Sequence, residues 1–203
     1  MRKIAYREIK LLSELKSPNV VHLIEVFLYQ EKINLVFEFV QNNSLELIQS
    51  RPEGLNPLFV KKLMWQLLKS LEFLHTHNAI HRDIKPENLL ISKNGALKLC
   101  DFGFARYLNN LNQEYTDYVS TRWYRAPELL VGDVNYSKPV DIWSVGCMLC
   151  ELSNGKPIFP GDSDTEMIKI IIEVLGQNLT SKQKKALEIN KYITENNKEI
   201  VYK

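Results

Sequence analysis

The stretch His81-Arg82-Asp83-Ile84-Lys85-Pro86-Glu87-Asn88 constrains this chain more than any other. It sets an acid, a cation and a carboxamide on one short polar segment between apolar ones. Asp83 can accept a proton, Lys85 can neutralise an anion, and Asn88 offers a carbonyl oxygen to a hard metal ion. Asp101, just after an apolar strand, adds a second hard oxygen ligand, and Gly103 lets the backbone turn sharply there. Two oxygen ligands, a base and a cation are what a metal–nucleotide phosphoryl transfer needs. Taken singly, each acid is more readily read as a solvated loop charge; taken together they are not.

A third stretch, Ala126-Pro127-Glu128, follows in order. His-Arg-Asp-x-x-x-x-Asn, Asp-Phe-Gly and Ala-Pro-Glu, at these spacings, resemble the protein-kinase signature set. The resemblance runs from Tyr6 to about Gly176. It implies an α+β, protein-kinase-like fold: a mostly helical large lobe over residues 41–176 and a partial small lobe, one helix and a two-stranded hairpin, over residues 1–40. Residues 177–203 are left as a polar tail or poorly packed helix. The resemblance implies ATP and Mg2+ as cofactors and a protein hydroxyl as substrate. Asp83 is then the base, Lys85 sits on the transferring phosphate, and Asn88 and Asp101 hold magnesium. Lys85 and Thr121 match the serine/threonine-type pattern rather than the tyrosine-specific one. The text from Thr121 to Asp133, with Phe159-Pro160-Gly161-Asp162-Ser163-Asp164, is most similar to the cyclin-dependent-kinase-like family, between the cyclin-dependent and mitogen-activated branches.

Composition sets bounds on this reading. A chain of 203 residues with 45% hydrophobic content can bury a real core in one or two units. A net charge of +2 with no basic face argues against a nucleic-acid partner. The polar start predicts no signal peptide, and the apolar runs are too short for a membrane span. Three cysteines, an odd number, suggest a reducing compartment, cytoplasmic or nuclear, rather than a disulfide framework. The sequence holds neither a Gly-x-Gly-x-x-Gly nor a Val-Ala-Ile-Lys. Lys3 cannot stand in for the strand lysine, because it lies on the same helix as Glu8. A kinase truncated at both ends is therefore expected. The alternative is a catalytically impaired fragment or pseudokinase that acts as a binding module.

In chain order, residues 1–16 read as a helix stopped by Ser17-Pro18-Asn19. By resemblance, Glu8 on that helix pairs with the strand lysine that holds the nucleotide phosphates; its bland reading is a surface charge. Val20 to Phe27 and Ile33 to Val40 read as a hairpin. Its second strand resembles the adenine-binding hinge, with Phe37 as gatekeeper and the backbone of Glu38 and Val40 meeting the base. Asn56-Pro57 starts a strong helix with the stripe Val60, Leu63, Met64, Leu67, Leu68, Leu71 and Leu74. His75 and His77 near its end read as capping residues rather than metal ligands. Asn94-Gly95 marks a second hairpin, which places Asn88 and Asp101 near each other at its two ends. Leu90 would floor the adenine site. Cys100 is either a small buried residue or a thiol facing the nucleotide.

Residues 104–128 match the activation segment. Thr116-Asp117-Tyr118 sits where a dual phosphorylation site lies in the mitogen-activated branch, implying an upstream activating kinase. Arg7, Arg82 and Arg106 match the clamp for a phosphothreonine, and Arg122 and Arg125 the one for a phosphotyrosine. A phosphate adds nearly two negative charges, and guanidiniums bind its oxygens bidentately. Val140 to Leu152 reads as a buried helix. Its Asp141 resembles the aspartate that anchors the catalytic loop, and its Cys147-Met148-Leu149-Cys150 is core rather than a redox motif. Ser163 to Glu166 is a capping box for a helix closed by Gly176. No arginine follows Arg125, so Glu128 is expected to lack the cation it meets in this family.

Overall fold

The computed structural model describes residues 9–14, 16–108, 122–133, 135–176 and 180–181. At its centre is the helix α3 (Pro57–Thr76), preceded by the helical residues 9–14 (α1) and by α2 (Ser44–Gln49). Asn56 caps α3 as its sequence demands: its Oδ1 accepts the Leu58 N–H at 2.9 Å, and Pro57 occupies the first turn, where no N–H is needed. Val60, Leu63, Met64, Leu67, Leu71 and Leu74 are buried along one face. Each stabilises the fold by roughly 1.5–3 kcal/mol relative to exposure. Leu68, expected in this stripe, is 45% exposed; Leu67 and Leu71 already fill the inward positions on either side. Beside α3 packs α5 (Pro139–Asn154), which buries Val140, Val145, Met148 and Leu152.

The expected second hairpin is β5 (Leu89–Ile91) with β6 (Leu97–Leu99), in the register Leu89↔Leu99 and Ile91↔Leu97. Gly95 closes its loop at φ 75, and its N–H donates to the Ser92 carbonyl at 2.9 Å, a turn followed by a left-handed residue. The buried amide of Gln66 fastens this hairpin to α3: Oε1 accepts the Leu97 N–H at 2.9 Å and Nε2 donates to the Gly95 carbonyl at 3.1 Å. A two-residue strand, β3 (Asn42–Asn43), pairs with the other edge of β5. Asn43 then caps α2 through a capping box with Glu46 that the sequence reading did not identify.

The first hairpin is β1 (Leu23–Tyr29) with β2 (Lys32–Phe37), closed by the pair Tyr29↔Lys32. The second strand ends at Phe37, not at Val40 as expected. Glu38 leaves the ladder because its carboxylate accepts the His22 N–H at 2.8 Å and pairs with Lys98 at 2.8 Å. The base of the hairpin is tied to β6, where the Leu99 N–H donates to Asn19 and the Val21 N–H to Leu99. β4 (Ala79–Ile80) pairs with β7 (Arg106–Tyr107), and the short helix α4 (Pro127–Leu130) and α6 (Asp164–Leu175) complete the described elements. Ser163 caps α6 by accepting the Glu166 N–H at 3.1 Å. Glu166 reaches back to the Asp162 N–H instead of that of Ser163, so the expected box is displaced by one residue. Of the helix expected over residues 1–16, residues 9–14 are helical and residue 16 is not; residues 1–8 and 15 lie outside the described residues. Among the described residues no helix is long and apolar enough to cross a membrane.

The turn of the first hairpin is Gln30-Glu31, with φ of 47 and 61. Both positions are left-handed, which side chains with a Cβ adopt at a cost of about 1 kcal/mol each. Replacing the pair by Asn-Gly is expected to slow hydrogen exchange at the Phe27 and Asn34 amides, which face each other across the ladder, about fivefold or more, read by NMR. Unchanged exchange would show that the turn does not limit opening.

Candidate active site

Asp141, at the start of α5, is fully buried, and its carboxylate accepts three hydrogen bonds. Oδ2 takes the His81 N–H at 3.0 Å and His75 Nε2–H at 2.8 Å; Oδ1 takes the Arg82 N–H at 2.8 Å. His75 therefore does not cap α3 as expected. Its ring turns across to α5, and the backbone of His77 closes the helix. Arg82 sits at φ 70, a conformation that persists where surrounding bonds over-determine it, and the bond to Asp141 does so here.

From this anchored turn the loop presents Asp83, Lys85 and Asn88 together. Asp83 is buried, and its Oδ2 meets Lys85 Nζ at 2.9 Å and Asn88 Nδ2 at 2.9 Å. The same Nδ2 donates to the Asp83 carbonyl at 2.8 Å. With its N–H groups turned to Asp83, the Asn88 side chain directs its carbonyl oxygen away from the acid. Asn88 then starts the second hairpin, and its backbone carbonyl accepts the Cys100 N–H at 3.0 Å. That single bond brings Asp101 to Asn88 across thirteen positions of sequence. Asp101 is exposed at φ 59, and its Oδ1 accepts the Gly103 N–H at 3.3 Å.

His81 lies beneath both acids. Its Nε2–H donates to the Cys100 carbonyl at 3.0 Å and its Nδ1 accepts the Asp83 N–H at 3.3 Å, so the ring is neutral with the proton on Nε2. Burial holds its pKa below the ordinary value, against the pull of the nearby carboxylates, Asp141 first. Phe102, fully buried, meets the ring edge-on at 4.9 Å between centroids.

Of the residues expected to meet adenine, Phe37 and Leu90 are half-buried and pack on the core. The Glu38 N–H is taken by the His22 carbonyl at 3.0 Å, and its side chain is held as described. Val40 is half-buried in the extended segment that follows. Cys100 is half-buried and free of disulfides. Cys147 is buried, with its thiol pushed up to about 12 by desolvation, in keeping with a core residue; Cys150 is half-buried. Among the described residues no group of histidines, cysteines and acids has the make-up of a metal cluster. The Asn88 carbonyl oxygen and Asp101 carboxylate nevertheless suit Mg2+, a hard ion that takes one or two protein oxygens and completes its shell with water and phosphate.

The arginines fall in two groups. Arg82 Nε donates to the Phe104 carbonyl at 2.7 Å and Nη1 to the Tyr136 hydroxyl, while Arg106 lies over the Tyr136 ring at 5.6 Å. Arg122 and Arg125 converge on Asp164. Arg7, Glu8, Thr116 and Tyr118 lie outside the described residues. Glu128 is half-buried, and its backbone carbonyl accepts the Asp133 N–H at 2.8 Å. Sequence reading missed two participants: Tyr136, which touches both arginines, and Glu151. The latter is a buried acid that accepts the Tyr124 hydroxyl at 2.7 Å, and its pKa is raised chiefly by burial.

One buried acid is thus shared by a lysine and a carboxamide, and a hairpin carries a second acid at the end of its return strand. The family model for the protein kinase domain matches residues 1–203, and the chain belongs to that family. Cyclin-dependent kinase-like 4 of Mus musculus is 52% identical over 177 residues, 87% of this chain and 52% of that protein. The Homo sapiens protein of the same name is 52% identical, with 46% of its length covered. Cyclin-dependent kinase-like 2 of Pongo abelii is 53% identical over 176 residues, with 36% of its length covered. The chain thus spans about half, or less, of the curated relatives it matches.

Replacing Asp141 by Ala leaves the His81 and Arg82 N–H groups without their acceptor. A loss of about 3 kcal/mol or more is expected in urea denaturation; a loss under about 1 kcal/mol would mean that the loop holds itself. His81 sets a pH dependence. Its folded pKa lies below the unfolded value of 6.5, so the unfolded chain binds more protons as pH falls. Stability should therefore drop as pH is lowered through about 6.5, and His81→Gln should flatten that slope in a denaturation series from about pH 5.5 to 7.5.

Proposed function

We propose that this chain carries the phosphotransfer half of a serine/threonine protein kinase that moves the γ-phosphate of ATP to a protein hydroxyl. The observation that carries the reading is the single oxygen of Asp83 held between Lys85 and Asn88. It fixes the acid's orientation before substrate arrives, and preorganisation of this kind is where enzymes gain most of their rate. In this reading Asp83 receives the proton of the incoming hydroxyl. Lys85, 2.9 Å away, carries positive charge to the oxygens of the transferring group. Asn88 and Asp101 would hold Mg2+, which, when bound, neutralises phosphate charge. The Glu38 carbonyl and the Val40 N–H meet the adenine edge, Leu90 floors it, Phe37 closes its rear, and Cys100 borders the phosphate side. Glu8 orients the phosphate-binding lysine of the full small lobe. Residues 1–40 then belong to the small lobe and residues 41–176 to the large one. Lys85 and Thr121 support hydroxyls of serine or threonine as acceptors.

Control of this centre is read from the arginines. Thr116 and Tyr118 take phosphate from an upstream kinase. Arg7, Arg82 and Arg106 gather the phosphothreonine, and Arg122 and Arg125 the phosphotyrosine.

Mg-ATP should raise the melting temperature of the chain, and Asp101→Asn should remove the magnesium-dependent part of that rise. In the kinase spanning the full relatives' length, Asp83→Asn should lower phosphate transfer by roughly 10²–10⁴, the contribution of a positioned general base, with the melting temperature little changed. Ala at Thr116 with Phe at Tyr118 should lower activity as well. Binding of Mg-ATP without transfer to any hydroxyl substrate would favour a binding module; no binding at all would reject the nucleotide site in this chain.

A further inference from the structure

The segment from Arg122 to Arg125 is seated on the start of α6 by four contacts. Arg122 Nε donates to Asp164 Oδ1 at 2.8 Å and its Nη1 to the Asp162 carbonyl at 3.3 Å. Trp123 Nε1 donates to the Gly161 carbonyl at 3.2 Å. Arg125 Nη1 stands 3.8 Å from the same Asp164 oxygen. Gly161 lies tight against α6 itself, since a Cβ there would lie 2.8 Å from the Met167 nitrogen. One carboxylate oxygen therefore serves two guanidiniums, at good distance to one and long distance to the other. A phosphate monoester, with three terminal oxygens and close to two charges, could give each guanidinium an oxygen of its own.

We propose that Asp164 is a built-in stand-in anion, holding on Arg122 and Arg125 the place that a phosphate monoester takes, so that a phosphate must displace it to bind. The proposal rests on the phosphate-clamp reading above only for the identity of the natural ligand. Asp164 does two things at once. It keeps the arginines oriented without phosphate, and it sets a threshold, because an incoming phosphate gains only the difference between its own bonds and those of Asp164. Displacing Asp164 also unfastens the first residue of α6, so phosphate at the arginines and the seating of α6 exclude each other at this contact. The carboxylate is 31% exposed, so an anion can reach the cluster from solvent.

The test uses the full chain, with inorganic phosphate and phenyl phosphate as probes, titrated while the Nε–H signal of Arg122 is followed by NMR. Asp164→Asn should bind both probes about tenfold more tightly than the unaltered chain, since a charge-assisted competitor is removed. Asp164→Ser repeats this arm with a second residue suited to a helix start. Arg122→Ala should abolish the binding. Glu166→Gln, which removes another first-turn acid that does not touch the arginines, should behave as the unaltered chain. Equal affinity with and without the Asp164 carboxylate overturns the proposal. So does equal tightening by Glu166→Gln, which would mark a general field effect, and so does binding that survives Arg122→Ala. Failure of the phosphorylation reading is a separate result: unchanged activity after replacement of Thr116 and Tyr118, whatever the probes do.

Discussion

A fully buried carboxylate is tolerable only when hydrogen bonds replace the water it has lost. Asp141 meets that demand with two backbone N–H groups from the loop that follows β4 and one ring from α3. The rest of the site follows from this exchange. The loop cannot rotate without stripping the carboxylate, and so Arg82 remains in its left-handed conformation. With Arg82 fixed, Asp83 is turned inward to Lys85 and Asn88. Helix packing between α3 and α5 thereby helps set the aim of the loop, whose buried Ile84 adds its own anchor in the core. Substitutions in the α3–α5 interface should therefore act on the loop through His75 and Asp141 before they unfold either helix.

Much of this was legible because the signals are local. Asn56-Pro57 caps a helix through atoms two residues apart, and Asn94-Gly95 turns a hairpin whose register then follows from alternating Leu and Lys. The nearness of Asn88 and Asp101 follows from that hairpin alone. What stayed hidden depends on contacts between residues far apart in the chain. His75 lies sixty-six positions from Asp141, and a histidine near a helix end is equally consistent with a cap. Gln66 occupies a polar slot in the α3 pattern, yet it is buried because two backbone groups of the hairpin meet it. Leu68 and the early end of β2 failed for the same reason. Periodicity states which residues are apolar, and neighbours decide which of them are covered.

The two arginine groups differ in a way that sequence does not disclose. Arg82 and Arg106 meet Tyr136, a neutral ring and hydroxyl, whereas Arg122 and Arg125 meet the carboxylate of Asp164. A ring face and a neutral hydroxyl meet the first pair, while charge attraction meets the second.

Stability is also divided unevenly around α5. On one side the buried side chains of Asp141 and Gln66 are matched by hydrogen bonds. On the other side of α5, Ile142, Trp143, Ile158, Phe159 and Leu175 line an apolar cavity of about 690 Å³. Trp143 stacks on Phe159 at 5.6 Å, but its buried indole N–H has no hydrogen-bond partner among the described residues. Such an orphan costs on the order of 1–3 kcal/mol, and the half-buried Glu128 borders the same cavity. Local opening draws on the least compensated contacts first. The outer face of α5 is thus the weak side of a helix whose inner face holds the His81–Arg82 turn. Because both faces belong to one helix, fraying on the weak side is limited by the bonds that Asp141 makes on the strong one.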